Sequence, residues 1–393
     1  MKITLSKYLI LILLFSCSCQ NSKSIQQDDE EFTLTGEVIG SNTKQIILTY
    51  RKNANFINDT IFVHNGKFRT KGIISSPIMA YLKGNIKKKG TSDPNYYSFF
   101  LEPKKINISL VEDKFKQAKV IGSVTQNEYE RLKLVVDPLK EEVKLINKDA
   151  KALRATKKSN TDKNFYNEKL KEISQKYSIK NNEIKAIQLK YVKKHPNSYL
   201  SAYLLDIYSS KISINEIKPY YSNLSPEIKT SFYAKRIKSK IELAENSEIG
   251  KPTPLFITND IEGEEFSLEM YKGKYVLLDF WADWCVPCIK RFPDLKSIYE
   301  KYNSKGLEIV GLSLDKNIES WEKSVEKNNI NAWNHIYIGR QNVKGDSIFK
   351  SFNVRTIPAL ILINKEGIIE GRFLGADNKY KFSDLEEKLN EIF

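Results

Sequence analysis

Four cysteines occur in 393 residues, in two close pairs: Cys17 with Cys19, and Cys285 with Cys288. In Cys285-Val286-Pro287-Cys288 two thiols are separated by two residues, a spacing that brings them together across one helical turn. Such a pair can pass reversibly between dithiol and disulfide. A ring closed over two residues restrains the unfolded chain little, so the pair points to chemistry rather than to stapling. Zinc is the competing use of a CxxC, but a tetrahedral site needs two further ligands. No second CxxC exists, and His64, His195 and His335 stand singly. Neither a metal nor a cofactor is expected.

What must position the dithiol is legible on both sides of it. Val276-Leu277-Leu278-Asp279-Phe280-Trp281 is an apolar run of strand type, and Pro287 suits the first turn of a helix, where its missing N–H costs nothing. The cysteines therefore stand where a buried strand gives way to a helix. Unpaired N–H groups and the helix dipole favour a thiolate there, lowering a thiol pKa from ~8.5 toward 7 or below. Cys285, first in the motif, is the expected nucleophile. Cys288, one turn deeper, resolves the mixed disulfide. Trp284 is expected to line the exposed site, while Trp281, Trp321 and Trp333 read as packing residues.

Around this centre the elements alternate. Tyr275 to Trp281, Leu307 to Leu314 and Ile357 to Ile363 read as strands, with Ile368 to Phe373 as a hairpin partner. Cys288 to Tyr302, Ile318 to Asn328 and Phe382 to Phe393 read as helices. Such alternation predicts an α/β domain over 247–393, a central sheet covered on both faces. A Gly- and Pro-containing linker, Asn246 to Pro254, precedes it. Between 126 and 246, Lys/Glu-rich stretches with apolar residues three and four apart, such as Leu132, Val135, Val136 and Leu139, predict four to six helices. Breaks fall at His195-Pro196-Asn197 and Ser225-Pro226. From 32 to 125, short β-type runs separated by turns such as Asn65-Gly66 predict a small antiparallel β domain.

Phe280 to Pro293, together with Thr356-Ile357-Pro358, strongly resembles thioredoxin-fold proteins of the TlpA type. The lead-in Gly250-Lys251-Pro252-Thr253-Pro254-Leu255-Phe256 is similar as well. The resemblance implies a thioredoxin fold and protein disulfide reduction. It also implies that Pro358 is a cis-proline lying against the dithiol, with the backbone of Ile357 free to pair with an extended substrate. Asp279 matches the buried acid that takes the proton of the second cysteine, and an apolar strand interior would raise its pKa toward that task. Where cytoplasmic thioredoxins have a lysine near that acid, this chain has Gly311. Pro293 matches the proline that kinks the active-site helix. Residues 32–125 loosely resemble the DUF4369-type β domain found before thioredoxin-like domains in Bacteroidetes lipoproteins, through Gly36, Asn65-Gly66-Lys67-Phe68 and the Pro77 region.

The beginning of the chain implies export. Lys2 and Lys7 precede an apolar run from Tyr8 to Phe15, too short to span a bilayer. Leu14-Phe15-Ser16-Cys17 resembles a lipobox, so residues 1–16 read as a lipoprotein signal and Cys17 as the lipidation site. A polar tether over 17–31 follows, and the expected location is the cell envelope. The formal net charge is +15, but the basic residues are dispersed along the chain, which marks a solvated surface rather than nucleic-acid binding. The resemblance implies oxidised envelope proteins and a membrane thiol donor as partners, and the lipobox-like start adds the membrane itself. Lacking a His between its cysteines, the Val286-Pro287 pair has one stabiliser of the thiolate fewer, which favours a reductant. Peroxide reduction is disfavoured by the WCxxC setting, and residues 32–245 present no constellation for a particular ligand.

Overall fold

The computed structural model describes residues 30–53, 55–88, 90–157, 162–339, 348–374 and 382–393. Cys17, Cys19 and the export segment lie outside them. The described chain falls into two compact units, one running to Leu134 and including Pro226–Phe232, the other comprising Val135–Ser225 and Tyr233–Phe393.

Eight strands build the first unit: β1 (Glu30–Ile39), β2 (Gln45–Lys52), β3 (Asn55–Phe62), β4 (Lys67–Ile74), β5 (Ile78–Lys83), β6 (Tyr96–Leu101), β7 (Lys105–Val111) and β8 (Lys119–Ile121). They form two four-stranded sheets, ordered β4-β1-β7-β8 and β3-β2-β5-β6. Pairing is antiparallel except between β1 and β7, which run parallel. The period of two is plain in β7, where Ile106, Ile108 and Leu110 are buried. Asn65 and Gly66, both at positive φ, make the predicted tight turn between β3 and β4. Glu30 and Glu31, read from sequence as the end of the tether, instead open β1 opposite Ile74 and Ile73. An ion pair from Lys71 to Glu31, at 2.8 Å, accompanies that pairing.

Six helices follow: α1 (Val124–Ala155), α2 (Lys163–Lys194), α3 (Tyr199–Tyr208), α4 (Ile214–Asn223), α5 (Pro226–Lys229) and α6 (Phe232–Glu245). Two of the breaks between them fall at the predicted proline sites, between α2 and α3 and between α4 and α5. Side chains satisfy the free N–H groups at several helix starts: Asp162 caps α2, Ser198 caps α3, and Ser213 with Glu216 forms a capping box on α4.

The linker is zipped onto the last domain. Gly250 N–H donates to Ile369 O and Thr253 N–H to Gly367 O, both at 2.8 Å. Arg372 secures it from beneath, donating to Ser247 O at 2.6 Å and Phe352 O at 2.7 Å. Burial of this guanidinium lowers its pKa to about 10.

The last domain contains β9 (Ile257–Asn259), β10 (Glu265–Ser267), β11 (Tyr275–Trp281), α7 (Val286–Ile289), α8 (Phe292–Tyr302), β12 (Leu307–Ser313), α9 (Ile318–Lys327), β13 (Asn334–Tyr337), α10 (Ile348–Ser351), β14 (Ala359–Ile363), β15 (Ile369–Leu374) and α11 (Phe382–Ile392). Its main sheet is ordered β13-β12-β11-β14-β15, with β11, β12 and β13 parallel and the last two strands antiparallel. One face packs Leu277, Trp281 and Ile309 against Phe292, Leu295, Trp321 and Leu385. The other packs Val276, Leu278 and Phe280 against Phe349 and Phe352. Burial on both faces explains why β11 reads as a continuous apolar run rather than an alternating one.

Three sequence expectations are adjusted. The expected helix from Cys288 to Tyr302 is two helices, α7 and α8, parted at Lys290 and Arg291, and Pro293 stands in the first turn of α8. The strand expected from Ile357 begins at Ala359, after Pro358. Strand β13 was not anticipated: four residues, Asn334-His335-Ile336-Tyr337, carry too little apolar pattern to announce it.

Register lines up one row across the sheet: Leu360, Asp279, Gly311 and His335 are successive partners. Gly311 is glycine because the His335 ring occupies the space beside it. A Cβ there would lie 2.5 Å from His335 Nδ1 and 3.1 Å from Trp281 Nε1. We expect G311A to lower the urea midpoint of the oxidised protein by the equivalent of about 1–3 kcal/mol. In an H335A background the added cost should shrink by at least ~0.5 kcal/mol, and equal costs in both backgrounds would remove the steric explanation.

Candidate active site

Strand β11 ends at Trp281, and the chain turns at once. Leu314 N–H donates to Trp281 O at 2.9 Å, and Cys285 N–H donates to Ala282 O at 3.0 Å. This closes the short turn that delivers Cys285 to the start of α7. There Cys285 is the N-cap residue: its carbonyl accepts the N–H groups of Cys288 at 2.9 Å and Ile289 at 3.1 Å. Its Sγ accepts Cys288 N–H at 3.3 Å. The sulfur of Cys285 thus occupies the position an N-capping oxygen would take, where a negative charge is stabilised.

The Sγ atoms of Cys285 and Cys288 are 2.02 Å apart, joined as a disulfide. Cys285 is 5% exposed and Cys288 1%, so both are buried, the second more completely. Around Cys285 the surface is apolar: Trp284 is 48% and Val286 62% exposed. The Ile357–Pro358 peptide bond is cis. Pro358 immediately precedes β14, whose Ala359 pairs with Phe280 one residue before the end of β11, and Ile357 packs partly buried against both core clusters. The strand pairing therefore sets the Thr356-Ile357-Pro358 loop beside the end of the strand that leads into the dithiol.

Asp279 projects on the same sheet face as Leu277 and Trp281, the face whose core includes both cysteines. It is 2% exposed. Burial raises its pKa to about 6, against the opposing pull of Arg291. One carboxyl oxygen, Oδ1, is buried with no hydrogen-bond partner among the described residues. The acid is consequently held in a site that disfavours its charge and leaves a lone pair open.

Two features of this site were missed in the sequence. The first is Asp315, buried at the end of β12, which anchors the turn before the dithiol: Asp283 N–H donates to its Oδ1 at 2.9 Å, and Ser313 Oγ donates to its Oδ2 at 2.7 Å. Its pKa is raised, first by burial and then by the adjoining Asp283 carboxyl. The Ser313-Leu314-Asp315 spacing was the available signal, since a serine two residues before an acid at a strand end suits such a turn. The second is His335. Its Nε2 lies 2.8 Å from Ile330 O, and burial lowers its pKa to about 4, so the ring is neutral. Trp281, Trp321 and Trp333 are buried in the same core. Among the described residues no group of three or more His, Cys, Asp or Glu is placed to hold a metal ion.

A thioredoxin-like family model matches residues 273–369, and a family described as a domain of unknown function, DUF4369, matches residues 32–129. The thiol-disulfide oxidoreductase ResA of Bacillus thuringiensis subsp. konkukian is 35% identical over 148 residues, which are 38% of this chain and 80% of that protein. ResA of Geobacillus kaustophilus is 32% identical over 144 residues, 37% of this chain and 78% of that one. A solved structure, the thioredoxin domain of a thiol-disulfide oxidoreductase from Bacteroides vulgatus, is 33% identical, covers 36% of this chain and 97% of that chain, and has a TM-score of 0.32. The thioredoxin-like match runs from before β11, through the dithiol turn and the cis-proline, to the start of β15, the stretch in which the site is assembled. On that identity and that coverage, the chain belongs to the ResA family of thiol-disulfide oxidoreductases.

Proposed function

We propose that this protein reduces disulfides of other proteins at the cell envelope, tethered through a lipidated Cys17 and recharged by a membrane thiol donor. The observation that carries the catalytic part is the placement of Cys285 Sγ at the helix N-cap, with the Cys288 N–H directed at it, in the less buried of the two cysteines. The anchoring part is supported by the sequence of residues 1–17; no described helix is long and apolar enough to cross a membrane.

In the reducing direction the Cys285 thiolate attacks one sulfur of a substrate disulfide. A Cys285–substrate bond forms, and the other substrate sulfur leaves as a thiolate that takes up a proton. Cys288 then passes its proton to the Asp279 carboxylate and attacks Cys285 Sγ. The Cys285–Cys288 bond forms, and the second substrate sulfur departs. Two electrons have moved from the protein dithiol to the substrate, and a donor dithiol resets the pair. Trp284, Ile357 and Pro358 form the apolar and backbone platform on which the substrate segment lies. Apolar surroundings suit the substrate's disulfide sulfurs and exclude competing water.

Three outcomes follow from this assignment. In C288S the mixed disulfide on Cys285 cannot be resolved, so disulfide-linked partners should accumulate on non-reducing gels, whereas C285S should trap none. Absence of adducts together with absence of insulin reduction by the wild-type chain would end the assignment. The reduction potential should lie far below the ~−120 mV of a strong oxidant; a value near that figure would reverse the direction.

The buried acid adds a dependence on pH. A carboxyl whose pKa is raised in the fold binds its proton more tightly folded than unfolded. Stability is then greatest below the unfolded value of ~3.9 and falls as pH rises through about 6. Relative to wild type, oxidised D279N should gain stability progressively across that window. The pH-dependent part of the difference should approach on the order of 3 kcal/mol at neutral pH, read from urea unfolding at a series of pH values. A constant difference would place the Asp279 charge in a solvated setting.

A further inference from the structure

The row across the sheet has no cation in it. Gly311 stands opposite Asp279, the space beside it is filled by His335, and His335 is neutral. Leu360 flanks Asp279 on the other side. A cationic side chain could not enter from β12 without displacing the His335 ring. Charge compensation for the buried acid must therefore come from the helix layer, and one group there supplies it. Arg291 sits three residues after Cys288, at the break between α7 and α8, and is partly buried. Its Nε and Nη2 are buried and find no hydrogen-bond partner among the described residues. Its chain neighbour Phe292 packs edge-on against Trp281, ring centroids 5.1 Å apart, on the sheet face that also carries Asp279; the guanidinium and the carboxylate favour each other's charge from there without forming a direct ion pair.

We propose that Arg291 is a positioning residue for the resolving half-reaction: its guanidinium, held within electrostatic reach of Asp279 by the break between α7 and α8, keeps that carboxylate ready to receive the Cys288 proton. This rests on Asp279 as the proton acceptor. Leaving a guanidinium half-satisfied in a core is costly, and a charge that merely filled space would be replaced by an apolar chain without loss. Separation without contact suits the task. A direct ion pair would occupy the carboxylate oxygen that must accept the proton, whereas a cation at a distance biases ionisation and leaves Oδ1 open. The ionisable groups around this acid are Arg291 at the start of α8, which acts on it directly, Asp294, which acts on Arg291, Cys288 in the core of the same sheet face and neutral His335 from β13. Of these, Arg291 alone carries positive charge.

The test uses the full chain, reduced, mixed rapidly with dithiobis(nitrobenzoate). The first nitrothiobenzoate released reports attack by Cys285, and the second reports resolution by Cys288. Followed from about pH 5 to about pH 9, the second phase should show an acid limb set by Asp279. In R291Q that limb should move upward by about one pH unit, slowing resolution roughly fivefold at the wild-type midpoint, approaching about tenfold on its acid side, and little at the alkaline end. R291M should match R291Q and provides the same neutralisation should the glutamine variant not fold. R291K should retain the wild-type limb. An unmoved limb in R291Q or R291M, with the limb lost in D279N, overturns the role of Arg291 and leaves that of Asp279 intact. A limb displaced equally in R291K assigns the effect to packing and overturns the proposal too. A limb that survives in D279N shows that the underlying acceptor is another group, and the proposal fails with it.

Discussion

Strand β11 is hydrogen-bonded on both edges and covered on both faces, and the site follows from that confinement. A strand paired with β12 on one side and β14 on the other cannot continue past its neighbours without exposing unpaired backbone. At Trp281 the chain must turn, and the turn is fixed by the carbonyls of Trp281 and Ala282 and by the Asp315 carboxylate. The first residue free to begin a helix is then Cys285. The thiol is not placed on a loop that could wander. It is placed at the end of a strand buried on both faces, where the helix start offers N–H groups and the neighbouring antiparallel strand brings in Pro358. This is the general location of sites in open α/β sheets, outside the carboxyl ends of the strands.

That confinement also sets the electrostatics. A carboxyl at Asp279 in an otherwise apolar strand is out of place for stability, because desolvation of the charged form opposes folding. Asp315 carries the same liability at the next strand's end, mitigated by two hydrogen bonds. Perturbed acids cluster where chemistry is done, and here both lie within one turn of chain or one strand of the dithiol. The rest of the domain's charge behaves differently: pairs such as Lys274 with Glu308 at 2.8 Å and Lys388 with Glu370 at 3.0 Å lie toward the surface, where such pairs contribute little. The overall positive charge of the chain and the ionisation of the site are therefore separate matters.

How much of this could be read from the sequence depends on how far apart the relevant residues are. The dithiol, its strand and its helix are contiguous, so spacing alone brought Cys285, Cys288 and Trp284 into one picture. Pro358 and Ile357 entered through resemblance, since nothing local in Thr356-Ile357-Pro358 says that the loop returns to the strand end. Asp315, Arg291 and His335 were missed because each acquires its meaning from register. Gly311 was noticed as an absent lysine, but its reason, a histidine from a third strand lying against it, required the pairing of β12 with β13 to be known. The break after α7 was foreshadowed by Pro293, though the proline's place in the first turn of α8 was not. Local pattern identifies elements; which side chains face one another across a sheet is decided by strand alignment, and a shift of one residue would send Asp279 to the opposite face.

The same alignment explains why a glycine opposite the acid need not weaken the site. In a parallel pair, neighbouring side chains on one face crowd a narrow row, and a long cation at 311 would compete with Trp281 and His335 for the volume beneath the dithiol. Filling that volume with a neutral ring keeps the core dry and packed, which raises the affinity of Asp279 for its proton. Moving the compensating charge to the helix side places it at Arg291, three residues beyond Cys288 and tied to it by the Arg291 N–H to Cys288 O bond at 3.0 Å. In the proposed relay the cation and the Cys288 thiol thus ride on the same short segment, so any shift of that segment would move both relative to the buried acid.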